Sequence, residues 1–350
     1  MNFFFKQFGG KVTEVLISRY RESKNWSAGA FTNLEPTALG GSLRDLPRII
    51  FKQFSNRSVR APKQNLPIIA FDKTAFLEHS ERAKLIWYGH SVVLLRIAGQ
   101  TVLIDPMFGA NTTPIAPFPT MRFSENTIDL ISEFPEIDLI LLTHDHYDHL
   151  DLASISKLRH KTKHFFVALG VKRHLTAWGV PCEKITEFDW WQTQVFDKLN
   201  ITFTPTRHFS GRSLRDRAQT LWGGWVIKSK NENIWFSGDG GYGSHFKEIG
   251  EKLGPFDFAF MECGQYNTDW HLIHLFPEEA IKAAIDANAK KVMPVHWAGF
   301  ALSYYHTWKE PAADFVTYAS ACQLDYTLPE LGEMFEIRDF RLKKWWEEYD

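Results

Sequence analysis

The chain has little of what disulfide-stapled, membrane-spanning or nucleic-acid-binding proteins need. Its three cysteines, Cys182, Cys263 and Cys322, lie far apart and form no C-x-x-C pair. A sparse, odd count argues against a disulfide framework and for a reducing compartment, so the cytoplasm is the expected location, with the inner membrane face as a peripheral extension of it. No uninterrupted apolar window reaches the roughly 18 residues of a membrane-spanning helix. The N-terminal MNFFFKQFGGKVTEV has only Phe3 to Phe5 as an apolar run before Lys6, too short for the hydrophobic region of a signal peptide. A formal net charge of −1 gives no electrostatic footprint for nucleic acid. Low-complexity segments and repeats of short period are also missing.

What remains is an ordinary globular composition, 44% apolar and 23% charged, with material for a sizeable core. The 29 Phe and 13 Trp point first to packing and only secondarily to an apolar substrate or a membrane-facing surface. Length allows one large domain or two small ones. Residues 1–80 mix charge, Gly and Pro (LEPTALGGSLRDLPRIIFKQF, then RAPKQNLP) and are expected to form an irregular arm with short helices packed over the main domain, residues 81–350. Partial disorder is an equal alternative for the first 25 residues.

From Lys84 the texture changes. KLIWYG and VVLLRIAG-QTVLIDP read as strands, with a hairpin turn at Ala98-Gly99-Gln100. DLILLT reads as a short buried strand. Beyond it, strand-like FFVALG, ITFTPT, LWGGWVIKS, NIWFSGD, FDFAFMEC and KVMPVHW alternate with helical HFKEIGEKLG, PEEAIKAAIDANA and AADFVTYASACQL. Such interleaving predicts a layered α/β architecture.

The chemistry collects where strands end. LLTHDHYDHLD puts His144, Asp145, His146, Asp148 and His149 within six positions after an apolar run. His208 follows ITFTPTR, Asp239 follows NIWFSG, and His296 follows KVMPV. Buried together, these groups need a neutralising charge, and imidazole plus carboxylate without thiolate suits Zn²⁺, Mn²⁺ or Fe²⁺. The H-x-H-x-D-H spacing can serve two ions, His144 and His146 reaching to one side of the loop, Asp148 and His149 to the other. His208, Asp239 and His296 are the candidates to complete the sites. Hydrogen-bonded or surface histidines are the ordinary alternative, and His79, His160, His164, His174 and His306, which lack such context, are assigned to it.

These motifs resemble the metallo-β-lactamase superfamily, and within it N-acyl-phosphatidylethanolamine-hydrolysing phospholipase D and its bacterial relatives. The matching stretches are WYGHSVVL, LIDPMF, LLTHDHYDHLD, EFDWWQ, TPTRHFSGRSLRD, LWGGW, FSGDGGYG, FKEIGEKLGPFD, PEEA and PVHWAGFAL, over roughly residues 84–325. The resemblance implies a four-layer αββα sandwich with a binuclear site, zinc being the expected metal. One ion takes His144, His146 and His208, the other Asp148, His149 and His296, with Asp239 bridging. It also implies Asp105 in LIDP as a hydrogen-bond acceptor that orients a ligand imidazole, where a turn-forming Asp before Pro106 is the alternative. His90 in YGHS is expected to make an inner structural hydrogen bond rather than to ligate. Arg212 is a candidate for binding a substrate phosphate oxygen, against a surface Arg. His274, before the PEEA helix, is a candidate to protonate the leaving oxygen or bind phosphate, against an ordinary residue preceding the helix start at Pro277.

The chain departs from the family pattern at Ile273-His274, where the mammalian-type enzyme has Gln-His, and at Ala116 and Pro117, where larger polar groups are expected. Metal chemistry is therefore expected to carry over more securely than head-group or acyl recognition. The expected activity is hydrolysis of a phospholipid phosphodiester to phosphatidic acid and an N-acylethanolamine. A lactonase acting on sugar-phosphate or acyl-homoserine lactones is the alternative enzyme. A di-iron redox protein or a metal-dependent binding module of the same fold is the non-hydrolytic alternative, though redox relatives generally replace a ligand histidine and carry a flavin domain. A phospholipid or small phosphodiester is the expected partner, with peripheral membrane contact through the arm and a homodimer as further expectations. The Phe and Ile residues of MNFFFKQF and RDLPRIIFKQFSNRSVR either face lipid headgroups or pack the arm onto the domain.

Overall fold

The computed structural model describes residues 3–38, 48, 51–52, 57–113, 119–213 and 215–349. Beyond a short hairpin, β1 (Trp26–Ser27) with β2 (Ala30–Phe31), its strands form two seven-stranded sheets. The first runs β16 (Met334–Glu336), β3 (Lys84–Trp87), β4 (Val93–Ile97), β5 (Gln100–Ile104), β6 (Ile137–Leu142), β7 (Thr162–Ala168), β8 (Ile185–Phe188). The second runs β9 (Thr193–Phe196), β10 (Leu199–Thr204), β11 (Gly224–Lys228), β12 (Asn233–Phe236), β13 (Phe258–Glu262), β14 (Lys291–Val295), β15 (Asp325–Tyr326).

Each sheet has an antiparallel half and a parallel half in the same order. In the first, β16·β3, β3·β4 and β4·β5 are antiparallel, and β5·β6, β6·β7 and β7·β8 parallel. In the second, β9·β10, β10·β11 and β11·β12 are antiparallel, and β12·β13, β13·β14 and β14·β15 parallel. β3 therefore corresponds to β10, β5 to β12 and β6 to β13. The repeat is one of strand order, which explains why no short-period repeat shows in the sequence.

The parallel halves need crossovers, and helices supply them on the outer faces. Leu152–Leu158 and Lys172–Ala177 belong to the first sheet; His245–Leu253, Pro277–Asp286 and Glu310–Ala321 belong to the second. The inner faces share one apolar core, from Leu94, Leu103 and Leu141 to Phe203, Ile227 and Phe260. A second cluster, including Phe246, Ile281, Ala284, Phe315 and Val292, sits beneath the helices of the second sheet. The layers are therefore α, β, β, α, the sandwich expected. Strands such as β6 after Asp138 and β14 after Lys291 read as apolar runs because both their faces are covered. The β4–β5 turn is tighter than expected: Ala98 and Gly99 alone form it, with φ of 49° and 81°, and Gln100 already pairs with Ile97.

The arm is stitched to this body. Tyr20, Phe31, Leu66 and Phe76 are buried in the main core. Trp178 Nε1, Arg212 Nε and Arg173 Nε donate to the carbonyls of Lys6, Gln7 and Gly10 at 2.7, 2.9 and 3.1 Å. No described helix is long and apolar enough to cross a membrane. Ala116, Pro117, Met1, Asn2 and much of RDLPRIIFKQFSNRSVR lie outside the described residues.

Candidate metal centre

Strands β3, β5, β6, β10, β12, β13 and β14 point their C-terminal ends to one edge, where the two sheets converge. The segments following them carry His90, Asp105, His144 to His149, His208, Asp239 and His296, while Glu262 is the last residue of β13. The geometry there is forced. His90, Asp105 and His296 have φ of 54°, 39° and 71°, left-handed values that non-glycine residues hold only where surroundings impose them. Ahead of Asp239, Gly238 (φ 69°) passes so close to Gly223 that an added Cβ would lie 2.3 Å from the Gly223 carbonyl oxygen. Only glycine fits that approach.

Two groups of donor atoms converge. In one, His144 Nε2 lies 2.9 Å from His146 Nδ1, which is 3.2 Å from His208 Nε2. In the other, His296 Nε2 lies 3.0 Å from Asp239 Oδ2, 3.3 Å from Asp148 Oδ2 and 3.3 Å from His149 Nε2, and His149 Nε2 is 3.0 Å from Asp239 Oδ2. Asp239 also lies within 4.8 Å of ring nitrogens of His144 and of His208, and so stands between the groups. Ligands about 2.0–2.1 Å from a tetrahedral zinc ion are roughly 3.3 Å from each other, so both sets fit a divalent cation in spacing and donor type. The structure thus brings together all seven residues expected as ligands.

The electrostatics favour a cation. Burial raises the pKa of Asp148 and Asp239, but neighbouring His149 above all outweighs it and holds both carboxyls well below the usual range. Burial alone would lower His149 and His296; for each, Asp239 foremost among the facing carboxylates reverses this and lifts the imidazole well above its ordinary value. Burial and the mutual proximity of imidazoles push His144 and His208 well down. One half of the centre holds positive charge on imidazoles facing carboxylates, and the other holds neutral imidazoles with free lone pairs. Both are states that a divalent ion can replace or use.

Behind the donors lies a shell of hydrogen bonds. Asp105 Oδ2 accepts from His149 Nδ1 at 2.8 Å and from Thr143 Oγ1 at 2.6 Å, while its Oδ1 accepts from Thr143 N at 2.9 Å. His208 Nδ1 donates to Ile273 O at 2.9 Å. His90 Nε2 sits 3.0 Å from Asp148 Oδ2, and burial lowers its pKa to about 3, so it is neutral and donates. His274 is half-buried at the rim, its ring 5.1 Å from that of His208 and stacked 5.3 Å from that of His296.

Arg212 is not where a phosphate ligand should be. It is buried, and its Nε and Nη1 donate to the carbonyls of Gln7, Asp145 and Leu150 at 2.9, 2.7 and 2.8 Å. The guanidinium carbon lies 3.9 Å from the Tyr147 ring centroid. The chain turns at Gly211 (φ 136°) and sends the side chain behind the His144–Leu150 loop, where it ties that loop to the arm. Its expected substrate contact is replaced by a positioning one.

Several residues at the centre were missed. Glu262 ends β13, and the strand-end pattern that found His144 and His296 applies to it equally. Asn33 belongs to the arm: its Nδ2 donates to His208 O at 2.8 Å and its Oδ1 accepts from His208 N at 3.0 Å, clamping that ligand's backbone. No spacing in the sequence signals it. Asp145, inside the His/Asp cluster, faces backward, accepting from Gly211 N at 2.8 Å and facing His174 Nε2 at 3.2 Å. Beside His208 a cleft of about 500 Å³ is lined by Phe209, Arg217 and Trp222 together with Asn33, Leu34 and Glu35 of the arm.

The chain matches the model of a β-lactamase superfamily domain over residues 100–297. It is 35% identical to an uncharacterised protein of Mycobacterium tuberculosis, covering 93% of this chain and 88% of that one. It is 27% identical to N-acyl-phosphatidylethanolamine-hydrolysing phospholipase D 1 of Caenorhabditis elegans, covering 85% and 88%. Among solved structures, a metallo hydrolase from Ignicoccus hospitalis aligns with a TM-score of 0.57 at 23% identity, over 75% of this chain and 99% of that one.

Proposed function

The chain belongs to the β-lactamase superfamily and is a metal-dependent hydrolase, and from that premise we propose that it cleaves a phospholipid phosphodiester, releasing phosphatidic acid and an N-acylethanolamine from N-acyl-phosphatidylethanolamine or a related lipid. The observation that carries this reading is the pair of donor sets sharing Asp239, on a chain similar along most of its length to the nematode phospholipase D. His144, His146 and His208 would hold one divalent ion, and Asp148, His149 and His296 the other, with Asp239 between them. Such ions, zinc foremost for these donors, supply Lewis-acid polarisation of a phosphoryl oxygen and bring the pKa of water near neutrality.

The protein's own groups do the rest. Asp148 and Asp239 bring the negative charge that retains cations among so many imidazoles. Asp105 holds His149 with Nδ1 outward and Nε2 inward, so the donor is oriented before any ion arrives. His274 at the rim is placed to exchange a proton or hydrogen bond with the reacting group. The cleft beside His208, whose lining includes Phe209, Trp222 and Leu34, is the route proposed for one apolar chain of the substrate. Exposed Phe51 and Val59 of the arm are the side chains proposed to meet the bilayer.

The test is to load the full chain with zinc, count metal, and follow products from N-acyl-phosphatidylethanolamine in mixed micelles alongside a panel of lactones. We expect about two ions per chain, phosphatidic acid as a product, and loss of both metal and activity in Asp239→Ala. Fast lactone opening with negligible phosphodiesterase activity would replace this reading with the lactonase one.

A further inference from the structure

The polar side chains that line the cleft beside His208 are, with one exception, already committed to partners within the chain. Thr32 Oγ1 donates to Asn25 O at 3.2 Å, and Thr37 Oγ1 to Glu35 O at 2.9 Å. Asn33 spends both ends of its amide on the His208 backbone, and its Oδ1 also accepts from Trp222 Nε1 at 3.0 Å. The Glu35 carboxylate accepts from Ser244 N and Ser244 Oγ at 2.8 and 2.7 Å and faces Arg207 Nη1 at 3.9 Å. His208 belongs to the first donor set. The exception is Arg217. Among the described residues no carboxylate stands within ion-pair distance of its guanidinium, and no acceptor takes a hydrogen bond from it. Neighbouring Asp216 is engaged elsewhere, accepting from Arg212 N, Ser213 N and Ser213 Oγ and facing Arg173 Nη2 at 3.4 Å.

The backbone around Arg217 is pinned although its side chain is exposed. Ala218 N donates to Ser210 O at 3.0 Å, Ala218 O accepts from Phe31 N at 2.9 Å, and Ala218 holds a left-handed φ of 54°. On the other flank, a Cβ added at Gly211 would lie 3.0 Å from Arg217 Cα. The guanidinium carbon stands 5.5 Å from the Phe209 ring centroid, within the range of a cation–π contact. The Phe209 ring in turn lies 4.5 Å from the ring of His146 and 5.0 Å from that of His208. One aromatic ring therefore separates an unpaired cation from two of the three donors of the first set. A guanidinium offers its N–H donors as a planar fork that matches two oxygens of one oxyanion, so a ligand with such a group completes what the cleft leaves unmatched.

We propose that Arg217 is a substrate-binding residue: its fork holds a phosphate oxyanion in the cleft and makes the centre select phosphate-bearing over neutral substrates. It takes the contact first expected of Arg212, which instead turns behind the His144–Leu150 loop. An oxyanion on Arg217 and an apolar chain beside Phe209 and Leu34 describe one amphiphilic ligand. This rests on the reading of the centre as hydrolytic, but not on which bond is cut. The oxyanion is either the diester that reacts or a phosphate carried alongside a lactone.

The test reads binding first, so its failure is separable from failure of the phosphodiesterase reading. The full zinc-loaded chain is titrated calorimetrically with dihexanoyl phosphatidic acid below its micelle concentration, and with neutral dihexanoylglycerol as the matched probe. We expect R217Q to weaken the anionic probe about 10–100-fold, the range for hydrogen bonds to a charged group, with a much smaller effect on the neutral one. R217K should keep part of the loss from appearing, since it retains the charge without the fork. Zinc content and the unfolding midpoint of R217Q should match the wild type, because the side chain holds nothing else in place. On substrate, KM should rise with little change in kcat. That rise appears with a soluble phosphodiester if the reacting group is what Arg217 holds, and with a phosphorylated lactone if it is a phosphate at a distance. An R217Q chain that binds the anionic probe as the wild type does, or loses both probes equally, overturns the proposal, as does a fall in kcat at constant KM.

Discussion

His149 is held at both ends by carboxylates that close corresponding strands of the two sheets, Asp105 after β5 and Asp239 after β12, at 2.8 and 3.0 Å. Asp105 cannot be exchanged for its amide without putting an NH₂ against either His149 Nδ1–H or Thr143. Asp105→Asn should therefore weaken zinc binding about 10–100-fold in a competition titration while leaving the folded far-UV spectrum intact. Unchanged affinity would mean Asp105 is only a turn former. Arg212 behaves differently. Truncation to Ala removes three hydrogen bonds to buried carbonyls and the stacking on Tyr147, so Arg212→Ala should lower stability by about 3 kcal/mol or more, read by urea unfolding of the metal-free chain. If the variant kept wild-type stability and lost only phosphodiester turnover, the substrate-binding role first expected of it would stand after all. The contrast shows what was legible at this scale. Residue type and position at a strand end identified the seven convergent donors, because imidazole and carboxylate have few other reasons to cluster beside apolar runs. The direction taken by Arg212 depends on a left-handed turn at Gly211 and on Gln7 of the arm, 205 residues away, and neither leaves a local mark.

At the level of elements, the central strands were readable for the same reason they are stable. β6, β12 and β14 are covered on both faces and so are apolar apart from Asp138, Asn233 and Lys291 near their starts, and the helices that cover them carry the long amphipathic runs. The edge strands β8, β9, β15 and β16 are short, β9 and β15 holding only exposed and half-buried positions and β8 and β16 mixing buried with half-buried ones, so they had no comparable signal. The arm is the other illegible element. Its composition suggested packing over the main domain, but only the structure shows that Asn33 brackets the His208 peptide unit and contacts Trp222 Nε1 at 3.0 Å. Asn33→Ala frees both backbone groups of one ligand on one side of the centre. It should weaken the first of two zinc-binding events to be lost on dilution, that of His144, His146 and His208, by roughly tenfold, leaving the second near wild type. Equal weakening of both events would show that the arm supports the whole centre rather than this one ligand.

Over the whole molecule, acid and lipid surfaces test different parts of the fold. His245 and His306 lie away from the donor sets, and burial lowers the pKa of each to about 4 from the ordinary 6.5. Between these values the unfolded chain binds protons that the folded chain does not, so stability rises with pH across that window and is lost as pH falls from 6.5 toward 4. Urea unfolding of the metal-free chain at pH 7 and pH 5 should show this loss, and His245→Gln with His306→Gln should reduce it; a slope unchanged by both substitutions would place the acid sensitivity elsewhere. The lipid question cannot be settled by trimming residues 1–25, because that cut removes Tyr20 from the core and the carbonyls of Lys6, Gln7 and Gly10 from Trp178, Arg212 and Arg173. Point changes at exposed apolar side chains separate docking from folding. Phe51 is 74% exposed and Val59 53%, so Phe51→Asp with Val59→Asp adds charge at two positions outside the buried core. An arm that meets headgroups with apolar side chains beside basic ones should bind anionic vesicles in a salt-dependent way. The double variant should then sediment several-fold less with such vesicles and hydrolyse vesicle lipid more slowly, while turnover of a small soluble phosphodiester and the unfolding midpoint stay as in the wild type. An intact chain that does not sediment with vesicles at low salt would leave the arm its packing role alone, with substrate reaching the cleft from micelles or a carrier rather than from a bilayer.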